Sequence, residues 1–465
     1  MAALHGHATT SPNILFIFSD DQCWRELGVL GSQARTPNLD QLAGEGTLFT
    51  NAYNMGSWTG AVCVASRTML TTGRSLWKAH ALSQEPPPVE MFWSRRFKEA
   101  GYTTYFAGKW HVVGVSPVDI YDRTGTIRPG MAPYVDPSTG EELHGSDRGP
   151  GYFRPTGPDD HSWSPSDPDF GGHWIGGQHW SECLGDEAVG FIEEAARSDQ
   201  PFFMHLAFNA PHDPRQSPQE YVDLYPVESI EVPENFLPEY PFADAMKSGR
   251  GLRDEDLAPF PRSDFAVKTH RQEYYAIISH MDAQVGRILE ALEKSGLADN
   301  TLVVFTSDHG LACGHHGLMG KQNMFEHSMK PPLIFKGLNT PAGKVIDDPV
   351  YMQDLMPTTL EYAGIEVPAE VAFHSLLPRL QGGSTNPGQA IYGAYKDSQR
   401  MIREGDWKLI WYPAADKYLL FNLRIDPEEM HDVAGSPACR VVLERMQEEL
   451  RRQQNKYGDP LSLTD

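Results

Sequence analysis

The sequence predicts an α/β sandwich built on a mostly parallel sheet. Three observations carry this reading: apolar runs of strand length that are continuous rather than alternating, helix-period segments between them, and polar clusters closing several of the runs. The first run, Asn13–Ser19, reads Asn-Ile-Leu-Phe-Ile-Phe-Ser, the pattern of a strand buried on both faces. Comparable runs occupy residues 201–208 and 301–306, with a weaker one at 102–107. Helical patterns cover 36–46, 89–101, 181–197 and 264–296. In the last, Ile277, Met281, Val285, Ile288 and Leu292 recur at helical spacing, and Gly296 is the stop.

Segments 116–178 and 213–262, rich in Gly, Pro, Asp and aromatics, are too long for simple connections and are expected to be ordered loops that shape a pocket. Beyond about Ala390, short strand patterns at Ile391–Tyr395, 401–403, 407–411 and 418–422 precede an amphipathic helix at 441–453. The expected division is a large α/β domain over 1–385 and a small antiparallel sheet with a helix over 386–465. There are no internal repeats or low-complexity tracts.

A chain of 465 residues can bury a large core, and its 40% hydrophobic and 22% charged content is ordinary for a globular protein. The formal net charge of −23 argues against nucleic acid or an anionic membrane as partner. An anionic substrate would need a local basic pocket or a metal. Residues 1–10 are polar with no signal-peptide pattern, so the expected location is cytoplasmic for the sequence as it stands, or periplasmic if a signal was trimmed. The longest apolar runs are too short to span a bilayer. The five cysteines form no disulfide framework or zinc spacing, and Cys23, Cys183, Cys313 and Cys439 read as inert thiols.

In doubly wound sheets, ligands bind at the carboxyl ends of strands. Asp20-Asp21 closes the first run, Asn209-Ala-Pro-His212 follows the 201–208 run, Ser307-Asp-His-Gly310 closes 301–306, and Gly108-Lys-Trp-His111 follows 102–107. Paired carboxylates with a further Asp and a His on one rim suit a hard cation. Each cluster alone reads as a cap or turn, but four on one rim do not reduce to turn chemistry. The segment Cys63-Val-Ala-Ser-Arg-Thr-Met-Leu-Thr-Thr-Gly-Arg74 is the most specific in the chain. If it opens a helix, Cys63, Ser66 and Arg67 share one face, with a guanidinium one turn from the sulfur at the positive end of the dipole. A lone buried Cys at a helix start is the bland alternative.

This segment resembles the sulfatase signature, Cys-x-(Pro or Ala)-Ser-Arg followed by a Thr-Gly-Arg tail. Gly108-Lys-Trp-His111 is similar to the family's second signature. Ser307-Asp-His-Gly310 and His316-Gly-Leu-Met-Gly-Lys-Gln-Asn-Met-Phe-Glu326 extend the likeness, in family order, from Asn13 to about Asn422. Ala65 stands where many members have Pro, which leaves open the maturation enzyme that acts on Cys63.

The resemblance implies an alkaline-phosphatase-like fold and hydrolysis of sulfate esters through a formylglycine made from Cys63. It implies a calcium or magnesium ion held by Asp20, Asp21, Asp308, His309 and the modified Cys63. Arg67 would hold the formylglycine hydrate, whose one hydroxyl attacks sulfur. His111 would accept the proton that lets the second hydroxyl collapse and release sulfate, with Lys109 against sulfate and nucleophile. His212 and Lys321 would bind sulfate and protonate the leaving oxygen. Together these cations make a positive well in an acidic protein, suited to a small sulfated group. The implied partners are that substrate and a formylglycine-generating or anaerobic maturation enzyme. Residues 209–218 and Gly-Lys-Gln-Asn at 320–323 resemble bacterial carbohydrate sulfatases, so a sulfated sugar is expected, with choline sulfate and aryl sulfates as alternatives. Hydrolysis of phosphodiesters or phosphonate monoesters, or non-catalytic binding of a sulfated ligand, are the competing classes. His315 and His316 are expected to shape their loop. His173, Trp174, His179 and Trp180 could stack on a sugar or pack the loop.

Overall fold

The computed structural model describes residues 11–461 except 86, 132–133, 136–141, 144–154, 171, 176 and 383–388. The reading of residues 1–10, and part of that of 116–178, lies outside the described residues. The two main sheets take from the first part of the chain β1 (Asn13–Ser19), β2 (Thr47–Phe49), β3 (Gly56–Ser57), β4 (Thr103–Lys109), β5 (Arg123–Arg128), β6 (Phe202–Ala207), β7 (Thr301–Ser307), β8 (Leu333–Lys336) and β9 (Lys344–Ile346). All but β3 form one eight-stranded sheet in the order β9-β2-β8-β7-β1-β6-β4-β5. Only β8 runs antiparallel to its neighbours. The expected α/β class with a mostly parallel sheet is the one observed.

The central position of β1 explains its unbroken apolar sequence. Leu15 and Ile17 pack beneath helices α1 (Pro37–Glu45), α3 (Trp180–Ala195) and α4 (Asp264–Lys294) through Leu39, Leu184, Ile277 and Met281. Ile14, Phe16 and Phe18 face the opposite core with Trp93, Phe97 and Leu355. Both faces are dry, so neither can alternate with polar residues. Helix α2 (Val62–Thr72) lies between α1 and α3 in sequence, and nearly all of its residues are buried.

Segment 116–178 is not wholly loop. It contains β5, whose sequence Arg-Thr-Gly-Thr-Ile-Arg shows no apolar run because an edge strand is partly open to solvent. The three- and four-residue strands β2, β8 and β9 carry too few residues to show a period.

A second sheet uses β10 (Ile391–Tyr395), β11 (Gln399–Glu404), β12 (Trp407–Tyr412) and β13 (Lys417–Asn422), and α5 (Arg440–Tyr457) packs on it. Its order is β13-β12-β11-β10-β3, antiparallel except for β10 against β3. The small sheet therefore takes in Gly56–Ser57, the segment leading into α2. Gly56 has φ +95, and a side chain there would collide with the Ala394 carbonyl, so glycine is required for this junction. Among the described residues no helix is long and apolar enough to cross a membrane.

The turn after α5 is tied to the small sheet by a buried ion pair. Arg400 Nε and Nη2 donate to Asp459 at 2.6 and 2.7 Å, and Tyr392 Oη donates to the same carboxylate at 2.8 Å. Truncating one partner strands the other charge in the interior. Asp459→Ala is therefore expected to lower unfolding free energy by about 3–5 kcal/mol in a denaturant titration, and Asp459→Asn by less.

Candidate active site

The carboxyl ends of the central strands converge. The parallel register pairs Ser19 of β1 with Ser307 of β7 and Phe18 with Ala207 of β6, so Asp20-Asp21, Asp308-His309 and the turn before His212 leave the sheet side by side. Side chains and backbone from this rim lock the Asp20-Asp21 segment. Asp20 N donates to the Ala210 carbonyl, Asp21 N to Asp308 Oδ1 at 3.1 Å, and Gln22 N to Ser307 Oγ at 2.9 Å.

Helix α2 brings the sulfur to the same point. Cys63 is its second residue, and its Sγ lies 3.3 Å from His309 Nε2, 3.5 Å from Lys321 Nζ and 3.7 Å from Asp21 Oδ1. Ser66 and Arg67 share the face of Cys63, as helical spacing predicts. Ser66 Oγ donates to the Asp308 carbonyl at 2.7 Å, Arg67 Nε to Asp308 Oδ2 at 3.1 Å, and Arg67 Nη1 to the Lys109 carbonyl at 2.9 Å. Lys109 Nζ donates to Asp20, and Lys321 Nζ to both oxygens of Asp21 at 2.9 and 2.7 Å. Three carboxylates and three cations thus share one buried site.

Burial raises Asp21 to about 6 against the pull of Lys321 and His309. Burial would also raise Asp308, but His309, Arg67 and Lys109 hold it well below the usual carboxylate range. Burial and then Asp20 push the Cys63 thiol well above its ordinary value. Lys321 loses solvation on burial, yet Asp21 keeps its ammonium charged well beyond the usual range.

The ligand atoms of Asp20, Asp21, Cys63, Asp308 and His309 all lie within 4.8 Å of one another. Asp20 Oδ1 is buried without a hydrogen-bond partner. His309 Nδ1 faces the Gly310 carbonyl at 2.9 Å, which sets the ring with Nε2 toward the cluster. Three carboxylates, one with an oxygen that accepts no hydrogen bond, and an imidazole turned toward them could together hold a metal ion.

His212 Nε2 stands 3.8 Å from Asp21 Oδ2, and its Nδ1 faces the Asp213 carbonyl at 2.7 Å. Burial and Lys321 hold it neutral. His111 is less tightly drawn in. It has φ +52, its ring packs on Gly130, and its Nδ1 has no partner among the described residues. Burial, Lys109 and Arg67 lower it to about 3, so it is a neutral base at ordinary pH.

The sequence reading missed an outer acidic layer. Arg253 bridges Asp213 and Asp254, and Asp254 Oδ2 lies 3.9 Å from Lys321 Nζ and accepts from Gln322 Nε2 at 2.7 Å. Asp213 follows His212 directly and could have been taken with it, but Asp254 sits in an irregular segment that carries no signal. His315 and His316 turn away to Asn235 and Phe325. His173, His179 and Trp180 are buried and pack on one another.

Fold and cluster together are those of an enzyme whose buried acidic rim could hold a metal ion. The chain belongs to the Sulfatase family, whose sequence model matches residues 12–365, and is a sulfuric ester hydrolase. The model described as N-sulphoglucosamine sulphohydrolase, C-terminal, matches residues 314–456. The chain is similar to iduronate 2-sulfatase of Homo sapiens, 32% identical over 70% of this chain and 60% of that one. It is also similar to N-acetylglucosamine-6-O-sulfatase of Bacteroides thetaiotaomicron, 23% identical over 97% and 88% of the two chains. A solved structure of a protein with its substrate D-glucosamine-2-N,6-O-disulfate shares the fold, with a TM-score of 0.75, 22% identity, and 97% and 99% of the chains covered.

Arg67 is the cross-brace of this site, joining Asp308 to the end of β4 while its guanidinium lies 4.5 Å from the Phe18 ring centre. Arg67→Gln is expected to destabilise the fold by about 3–5 kcal/mol, measured by denaturant unfolding, because the buried carboxylates lose a counter-charge. Turnover of an aryl sulfate should fall by at least about 100-fold.

Proposed function

We propose that this enzyme removes sulfate from a saccharide, using a formylglycine made from Cys63 and a calcium or magnesium ion held by Asp20, Asp21, Asp308, His309 and residue 63. The observation that carries the reading is the position of Cys63 Sγ, at the start of α2 and within 3.7 Å of Asp21, His309 and Lys321. A bound cation would supply positive charge against a sulfate oxygen. Formylglycine, when hydrated, supplies one hydroxyl as nucleophile and a second through which the carbonyl can re-form and let sulfate go.

The chain's own residues do the rest. Arg67 fixes Asp308 and the Lys109 carbonyl, so the oxygen ligands and the lysine keep their places while charge moves. Lys321 and Lys109 offset the negative charge of a sulfate entering a site already rich in carboxylates. His212, oriented by the Asp213 carbonyl, presents Nε2 to the substrate side; the charge of a bound sulfate favours its protonated form, which donates to the leaving oxygen. Neutral His111 accepts the proton that accompanies release of sulfate. A saccharide is favoured by the names of the relatives, N-acetylglucosamine-6-O-sulfatase and iduronate 2-sulfatase.

Exhaustive chelation is expected to abolish turnover, and calcium or magnesium to restore it. Full activity in metal-stripped enzyme would remove the cation from this reading. A panel of defined sulfated mono- and disaccharides, choline sulfate, an aryl sulfate and an aryl phosphate should give the highest kcat/KM on a saccharide. Peptide mass analysis should find residue 63 as formylglycine or its hydrate when the protein is made beside a competent maturation enzyme, with specific activity proportional to the converted fraction. Cys63→Ser and Cys63→Ala should fold and lose steady-state turnover; wild-type rates from either would make Cys63 a structural thiol.

A further inference from the structure

Asp21 is the residue of the cluster whose backbone is strained. Its φ is +70, a left-handed conformation that costs a non-glycine residue free energy and persists only where surrounding groups impose it. The imposing group comes from far along the chain. Tyr274 of α4 donates from Oη to the Asp21 carbonyl at 2.6 Å and accepts from the Cys23 amide at 2.9 Å. One hydroxyl thus closes the turn across both ends. The remaining amides of the turn are held by Asp308 and Ser307, which belong to the strand end beside it. Tyr274 is 1% exposed, and Arg215 lies 5.7 Å from its ring centre. Burial keeps the phenol protonated, so it remains a donor.

We propose that Tyr274 is a positioning residue for Asp21: by bridging the Asp21 carbonyl and the Cys23 amide, its hydroxyl holds the left-handed turn that aims the Asp21 carboxylate into the cation cluster. The inference rests on the cation site proposed above. Without the hydroxyl, a carbonyl and an amide lose their shared buried partner, and the turn can relax toward ordinary backbone angles, carrying the carboxylate away from His309, Lys321 and residue 63. The ring itself packs beside Tyr275 and Arg215.

Tyr274→Phe keeps the ring and removes the hydroxyl. Tyr275→Phe is the matched control, since Tyr275 is equally buried on the same helix but its hydroxyl meets Arg271 rather than the Asp21 turn. Metal-stripped full-length protein is titrated with calcium chloride by calorimetry, and thermal unfolding and steady-state kinetics are recorded for each variant. Tyr274→Phe is expected to bind calcium about 10–100-fold more weakly, the usual effect of losing an outer partner of a metal ligand, and to lose kcat while KM changes little. Tyr275→Phe should lower thermal stability comparably and leave calcium affinity and kcat unchanged. Wild-type calcium affinity in Tyr274→Phe, or an equal loss in Tyr275→Phe, would overturn the assignment. A wild-type protein that binds no divalent cation would instead overturn the cation site itself, and this inference with it.

Discussion

The parallel pairing of β1 with β7, in the register that sets Ser19 beside Ser307, is the constraint on which the site depends. A shift of one residue would turn Asp20, Asp21, Asp308 and His309 to opposite faces of the sheet, because side chains alternate along a strand. Register is fixed by the two dry cores above and below β1. Every residue of the strand is buried, and each face interlocks with a different set of helices. Packing far from the site therefore determines which atoms meet in it.

Charge compensation sets the second constraint. Asp20, Asp21 and Asp308 are almost fully buried, a state that paired cations alone can sustain. Arg67, Lys109 and Lys321 provide that pairing from three separate elements: a helix, the end of a strand and a loop. Arg67 has the further task of holding geometry, since its planar fork bonds Asp308 and the Lys109 carbonyl in fixed directions, which a lysine's rotatable ammonium would not impose. A net charge of −23 leaves the site itself balanced, because three buried carboxylates meet three buried cations there. A bound divalent cation would tip that balance toward an entering anion.

The small sheet joins the large domain through β3. Gly56–Ser57 pairs with Ala394–Tyr395, and only five residues separate β3 from Cys63 at the start of α2. The C-terminal sheet thereby fixes where α2 begins. This gives the chain beyond Ile391 a role in placing the sulfur.

The sequence by itself determined the sheet class, the rim and most of the central cluster. Short continuous apolar runs closed by polar clusters are the pattern of strands covered on both faces, so a rim carrying Asp20, Asp21, Asp308 and His309 was legible from pattern, while the separate roles of these residues were implied by the family resemblance. Cys63, Ser66 and Arg67 were legible because helical spacing is local. The edge strand β5 was not, since solvent on one side removes the need for apolar residues. Tyr274 and Asp254 were also hidden: each reaches the site from an element distant in sequence, and nothing local distinguishes a tyrosine that closes a turn 253 residues away from one that packs a core. Periodicity fixes which way a side chain faces within its own element. Which backbone turn or cation it then meets depends on how elements pack, and the tertiary structure alone decides that.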